Sequence, residues 1–144
     1  MDNQYNNNSV VPLIARVLLS LIFLMSGISK IFNFGQTASY MSNVGLPIPE
    51  ILLAATIVIE VIGGIMIVLG WGARWAGLII FLWLIPTTFL FHAFWDVPPD
   101  RMRSEMNSFM KNIAIMGGML YIWAFGSGPF SLDNRRKPNK DFLR

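Results

Sequence analysis

The chain has 144 residues, 54% of them hydrophobic and only 13% charged, against about 25% charge in an ordinary soluble domain. With a mean hydropathy of +0.54, this argues against a separate catalytic domain with its own water-facing surface. At about 20 residues per crossing, four membrane spans use about 80 residues and leave room only for connections and a tail. The absence of cysteine and the single histidine rule out disulfides, thiolate chemistry, iron–sulfur ligation, a bis-histidine haem and a three-histidine zinc site within one chain. No metal or haem is therefore expected.

Net charge is +3, with a pI near 9.6. The only dense basic run is Arg135, Arg136, Lys137, Lys140 and Arg144. A basic tail after apolar spans is a topology signal. It lacks the breadth and interleaved aromatics of a nucleic-acid surface, so no nucleic-acid partner is expected.

Residues 1–9 are polar, asparagine-rich and without the basic start of a signal peptide, which predicts a short disordered lead. The first apolar run covers residues 10–32. The second covers 51–71, follows Pro47 and Pro49, and carries Glu60 as its sole charge. A tight turn, Gly70-Trp71-Gly72-Ala73-Arg74, leads to the third run, 75–95, which holds Pro86 and His92. The fourth span is placed at 109–125, in a helix that starts in the polar stretch after Asp100 and ends before Gly126-Ser127-Gly128-Pro129.

Each run is long enough to cross about 30 Å of hydrocarbon. Lipid satisfies no free backbone groups, so the runs should be helices. Trp71, Trp75, Trp95 and Trp123 lie near their ends, as an interfacial belt requires. The expectation is an all-α polytopic membrane protein, an antiparallel four-helix transmembrane bundle over residues 10–133, with a basic tail at 134–144. Arg16, Arg74 and the tail fall on one side; Lys30, Arg101, Arg103 and Lys111 fall on the other. The excess favours cytoplasmic termini.

Ionisable groups inside spans are rare and suggest function. Arg16 and Lys30 are fourteen positions apart, which places them about 40° apart around the helix and about 21 Å apart along it. Ser20, Phe23 and Gly27 complete that stripe, which should face the interior. Snorkelling of both cations to opposite surfaces is the competing account. Glu60 falls near mid-membrane, between the depths of Arg16 and Lys30, so either can reach it. It is either half of a structural ion pair or a carboxylate that handles protons or contacts a polar ligand.

His92, at the outer end of its span, should share a level with Lys30, Lys111, Asn112 and Asp96. Such a cluster suits proton transfer, a quinone carbonyl or a small anion; a purely structural histidine is the alternative. Pro86 should kink its helix, with Thr87 and Thr88 satisfying freed groups. Gly63-Gly64, Ala73-xxx-Gly77, Ala114-xxx-Gly118 and Gly117 should permit close helix packing. Asp96, Asp100, Arg101, Arg103 and Glu105 are expected in a solvated loop.

Several ordered features resemble the DoxX family: Arg16; Phe23-xxx-Gly27-xx-Lys30; Glu60-xx-Gly63-Gly64; Gly70 with Arg74; His92; Lys111-Asn112; and Gly126-Ser127-Gly128-Pro129-Phe130-Ser131-Leu132-Asp133. The likeness covers about residues 10–133. It implies a small four-helix protein of the bacterial or archaeal cytoplasmic membrane, associated with redox or detoxification systems, some of them quinone-linked.

Three functions follow as expectations. The first is a quinone-contacting or anchoring subunit of an oxidoreductase system. In it, Glu60 or His92 would handle protons, and Arg16, Lys30, Lys111 and Asn112 would form the polar interior. Electrons would then come from a partner or soluble donor. The second is a non-catalytic scaffold for a membrane complex. The third is a small-molecule or proton carrier, which would need a homo-oligomer because one four-helix chain lacks paired repeats.

Overall fold

The computed structural model describes residues 10–135. Among these residues there are only helices: α1 (Val11–Phe32), α2 (Phe34–Asn43), α3 (Pro49–Leu69), α4 (Ala73–Phe91), a single 3₁₀ turn (Phe94–Asp96), α5 (Pro99–Phe125) and α6 (Leu132–Arg135). The expected N-terminal lead and all of the basic tail beyond Arg135 lie outside the described residues.

Proline sits in the first turn of α1, α3 and α5, where its missing N–H is no loss and its fixed φ suits the helix. Gly70 ends α3 in the left-handed region, with its own N–H on Ile67 O and that of Trp71 on Met66 O. That geometry turns the chain back sharply into α4. α4 runs unbroken through Pro86, and the Thr87 hydroxyl donates to Trp83 O at 2.9 Å. That carbonyl is adjacent to the one that Pro86 leaves without its usual donor.

α1 packs on α3, α3 on α4, and α4 on α5. The glycine contacts give the direction. Gly27 faces Val61 and Gly64 faces Leu24, so the register falls on α1 as it rises on α3. Gly63 faces Ile80 across the tight turn from α3 to α4, and Gly77 faces the Met119 carbonyl while Thr88 meets Asn112; both pairs run antiparallel. Leu19 lies over Gly118 and brings α1 to α5. The glycines at 63, 64, 77 and 118 therefore serve helix packing, while Gly117 faces open space.

The main core joins Phe23, Ile67, Ala76, Ile80, Leu84, Met116, Met119 and Ile122. Side chains on the outer surfaces, such as Leu18, Met25, Ile62, Ile79 and Leu82, are apolar and exposed. Lipid is as apolar as these side chains, so close packing and internal polar contacts hold the helices together.

Three segments are long and apolar enough to cross a membrane: Val11–Phe32, Pro49–Leu69 and Ala73–Asp96. α5 is longer, at 27 residues, but less apolar. Asp100, Arg101, Arg103 and Glu105 occupy its first turns, and Lys111 and Asn112 follow.

Two expectations change here. The helix expected to start in the polar stretch after Asp100 starts at Pro99, so Asp100, Arg101, Arg103 and Glu105, expected in a solvated loop, lie in the first turns of α5. Residues 34–43, for which no element was expected, form α2, whose Ala38 and Met41 pack with Leu53 in a second small core.

Candidate functional site

The α1 stripe faces inward as its spacing predicts, with Arg16, Ser20, Phe23 and Gly27 all buried. Its two cations go to different partners. Lys30 Nζ donates to both Glu60 carboxylate oxygens, at 3.0 and 2.9 Å, and also to Ser26 Oγ. All three ammonium protons are thereby used. The pair forms because Gly27, one turn before Lys30, lets α3 approach: a Cβ there would stand 2.5 Å from Val61 Cγ2. Glu60 is thus half of an ion pair joining α1 to α3.

Arg16 lies at the opposite end of the stripe, where α1 begins, α3 turns into α4 and α5 ends. It is 2% exposed. Its Nη2 donates to Phe130 O at 2.9 Å, while Nε and Nη1 have no partner among the described residues. The segment after α5 folds back over this end. Asp133 N–H donates to Gly70 O at 2.8 Å. The Asp133 carboxylate accepts from the Gly72 and Ala73 N–H groups at 2.8 and 3.2 Å, and from Ser127 Oγ at 3.3 Å. It therefore caps the start of α4, where a negative charge meets unpaired amides and the positive end of the helix dipole.

At the far end, His92 Nδ1 lies 2.9 Å from Glu105 Oε2, and Arg101 Nη2 lies 3.1 Å from Glu105 Oε1. The side chains of His92 and Glu105 are 28% and 16% exposed. One turn deeper, Asn112 Nδ2 donates to Thr88 Oγ1 at 3.2 Å. Phe89, Phe94, Trp95 and Phe109 pack around this end, with centroid separations of 5.1–6.2 Å.

Among the described residues, no hydrogen bond or ion pair joins Lys30, His92, Lys111 and Asn112 to one another. Lys30 is taken by Glu60. Lys111 is exposed and makes no hydrogen bond or ion pair among the described residues. Asn112 bonds Thr88, one helical turn before His92. Asp96 ends the 3₁₀ turn and is exposed.

The partner that spacing missed is Glu105. Its signal was present: Glu105 and Asn112 are seven positions apart and share one helix face once the helix that starts after Asp100 is taken to include Glu105. Asp133 was missed as well; no local pattern announces that a residue after α5 will cap α4.

Glu105 precedes the apolar half of α5. Its pKa lies below the ordinary carboxylate value, chiefly because of the His92 hydrogen bond and also through Arg101, with burial opposing. A carboxyl depressed by folding stabilises the fold above its unfolded pKa and loses that contribution as pH falls through the folded one. We expect Glu105→Gln to lower stability near neutral pH by about 1 kcal/mol. The gap from the parent should close on acidification below the ordinary carboxylate range. Melting curves in detergent as a function of pH test this; a gap that persists in acid would refute it.

Residues 11–93 match the DoxX family model. The chain is 35% identical over 126 residues to the inner membrane protein YphA of Escherichia coli, covering 88% of this chain and 90% of the relative. It is 34% identical over 123 residues to the inner membrane protein YqjF of the same organism, covering 84% and 88%. A surfeit locus protein 4 homolog of Schizosaccharomyces pombe is 28% identical over 137 residues, but the match spans only 40% of that longer protein. No solved structure matches. With a family match over more than half its length and relatives aligned nearly end to end, the chain belongs to the DoxX family of membrane proteins.

Proposed function

We propose that this protein is a four-span membrane subunit of an oxidoreductase system, and that its His92–Glu105 end receives a quinone head group. In this reading α5 is the fourth span, through residues 109–125, and both termini are cytoplasmic. The antiparallel packing of α5 on α4 supports a fourth crossing. The placement of Arg16 and Arg74 at the end from which the basic tail departs supports the orientation.

The observation that carries the functional reading is the partly buried His92–Glu105 pair beside four aromatic rings. Glu105 orients the imidazole through Nδ1, which leaves Nε2 for a ligand. Such a pair is suited to hold a carbonyl oxygen and exchange a proton with it. The aromatic faces suit a planar ring and an apolar tail. A bound quinone supplies the electron-accepting carbonyls. The chain has no cysteine and one histidine, so the electrons come from a partner protein or a soluble donor.

The test is quinone content and tryptophan fluorescence of the protein extracted with its own lipids. Bound quinone, quenching on quinone addition and about tenfold weaker binding in His92→Phe are expected, the size of one lost hydrogen bond to a polar partner. A protein that neither retains nor responds to quinone refutes the reading.

A second reading, a non-catalytic scaffold, is favoured by the mutual saturation of Lys30 and Glu60. It predicts that Glu60→Gln lowers assembly of a membrane complex while the complex that remains turns over normally.

A further inference from the structure

A cleft of about 520 Å³ opens at the terminal end, between the start of α4 and the segment that follows α5. Its size falls within the range of about 300–1,000 Å³ typical of small-molecule sites. We propose that it binds the phosphate group of a membrane lipid, with Arg74 as the anchor.

The charge distribution points to an anion. Two charged side chains line the cleft, Arg74 and Asp133. Asp133 is already engaged: it accepts from the Gly72 and Ala73 amides and from Ser127, and it lies within the field of the buried Arg16. Arg74 has no hydrogen bond or ion pair among the described residues. It also occupies the first turn of α4, where the helix dipole disfavours a cation. Arg74 is exposed at the cleft, so its guanidinium is free to take an outside anion, and its planar fork fits phosphate oxygens. Gly126 leaves the space that it uses: a Cβ there would stand 3.1 Å from Arg74 Nε.

The surroundings point to lipid as the source. The cleft lies where α4 begins and α3 and α5 end, the boundary between apolar helix surface and polar termini. Trp75 and Phe125 border it and are 68% and 64% exposed. Aromatics at this depth mark the head-group level of a bilayer. A head group seated on Arg74 would lay its chains along the apolar surface of α4 and α5.

The test is native mass spectrometry of the full-length protein in mild detergent with three probes: phosphatidylglycerol, diacylglycerol of the same chains, and inorganic phosphate. We expect Arg74→Gln to weaken phosphatidylglycerol retention about tenfold, the scale of a lost charge-assisted hydrogen bond. Diacylglycerol retention should not change. Arg103→Gln, an equal charge change in the opposite half of α5, should leave all three unchanged.

Equal phosphatidylglycerol retention by Arg74→Gln would overturn the proposal, as would an equal loss in Arg103→Gln. An equally strong adduct with inorganic phosphate alone would overturn the lipid assignment and make the site one for a soluble anion. Lipid-free unfolding of Arg74→Gln at a markedly lower temperature would show Arg74 to be a structural group and also refute the proposal. The result does not depend on whether quinone binds at the opposite end.

Discussion

Glu60→Gln is expected to destabilise the protein by about 3 kcal/mol, near the lower bound for breaking a buried ion pair from one side. The cost is the charge left behind. Lys30 would keep its ammonium with only Ser26 and a neutral amide in place of a bidentate carboxylate. Its side chain is 25% exposed and that of Glu60 12%, and this partial access keeps the loss from being larger. Replacing both residues, Lys30→Met with Glu60→Met, should recover most of it, because no charge then needs a partner. Unfolding of the three variants in mild detergent provides the comparison. If Glu60→Gln is as stable as the parent, Lys30 does not depend on Glu60, and the ion-pair account fails. If the double variant is as poor as the single one, the polar groups hold something besides each other.

Gly70→Ala should cost a similar amount, about 3 kcal/mol, from two sources. Gly70 has φ +63, a left-handed conformation that costs a residue with a Cβ about 1–2 kcal/mol. That Cβ would also collide with Arg16 Nη1 and Ser131 Cβ, and overfilling a packed site costs about 1–3 kcal/mol. Arg16 is buried at the far side of this contact, with Phe130 O as its acceptor, so it cannot move aside without losing its partner. The collision makes the two positions interdependent. Arg16→Ala and Gly70→Ala should therefore cost less together than the sum of the separate changes, a coupling of about 1 kcal/mol or more. Purely additive effects would mean that the φ angle alone explains Gly70.

Both variants concern groups that were visible in the sequence, though unequally. Arg16, Lys30 and Glu60 stand out because a charge is conspicuous within an apolar run, and helical periodicity alone puts the two cations on one stripe. Which cation pairs with Glu60 depends on the offset between α1 and α3. That offset is set by Gly27 and Gly64, whose missing side chains admit Val61 and Leu24. Glu105 was hidden for a different reason. Its neighbours Asp100, Arg101 and Arg103 resemble a water-facing loop, and polarity distinguishes poorly between a loop and the protruding end of a helix. The short α2 was also hidden, because its ten residues, Phe34–Asn43, are too few and too mixed to show a clear apolar stripe.

The amino-acid sequence alone determined the helical class, the limits of the first three apolar helices to within a few residues, the inward face of α1 and the membrane setting. Each follows from local chemistry, since apolar length, backbone satisfaction in lipid and helical periodicity are properties of one segment at a time. Only the tertiary structure decided the partners: Lys30 with Glu60, His92 with Glu105, Asn112 with Thr88, Arg16 with the carbonyl of Phe130, and Asp133 with the first amides of α4. These depend on register between helices, and a shift of one turn moves a side chain about 5 Å, more than the reach of a hydrogen bond.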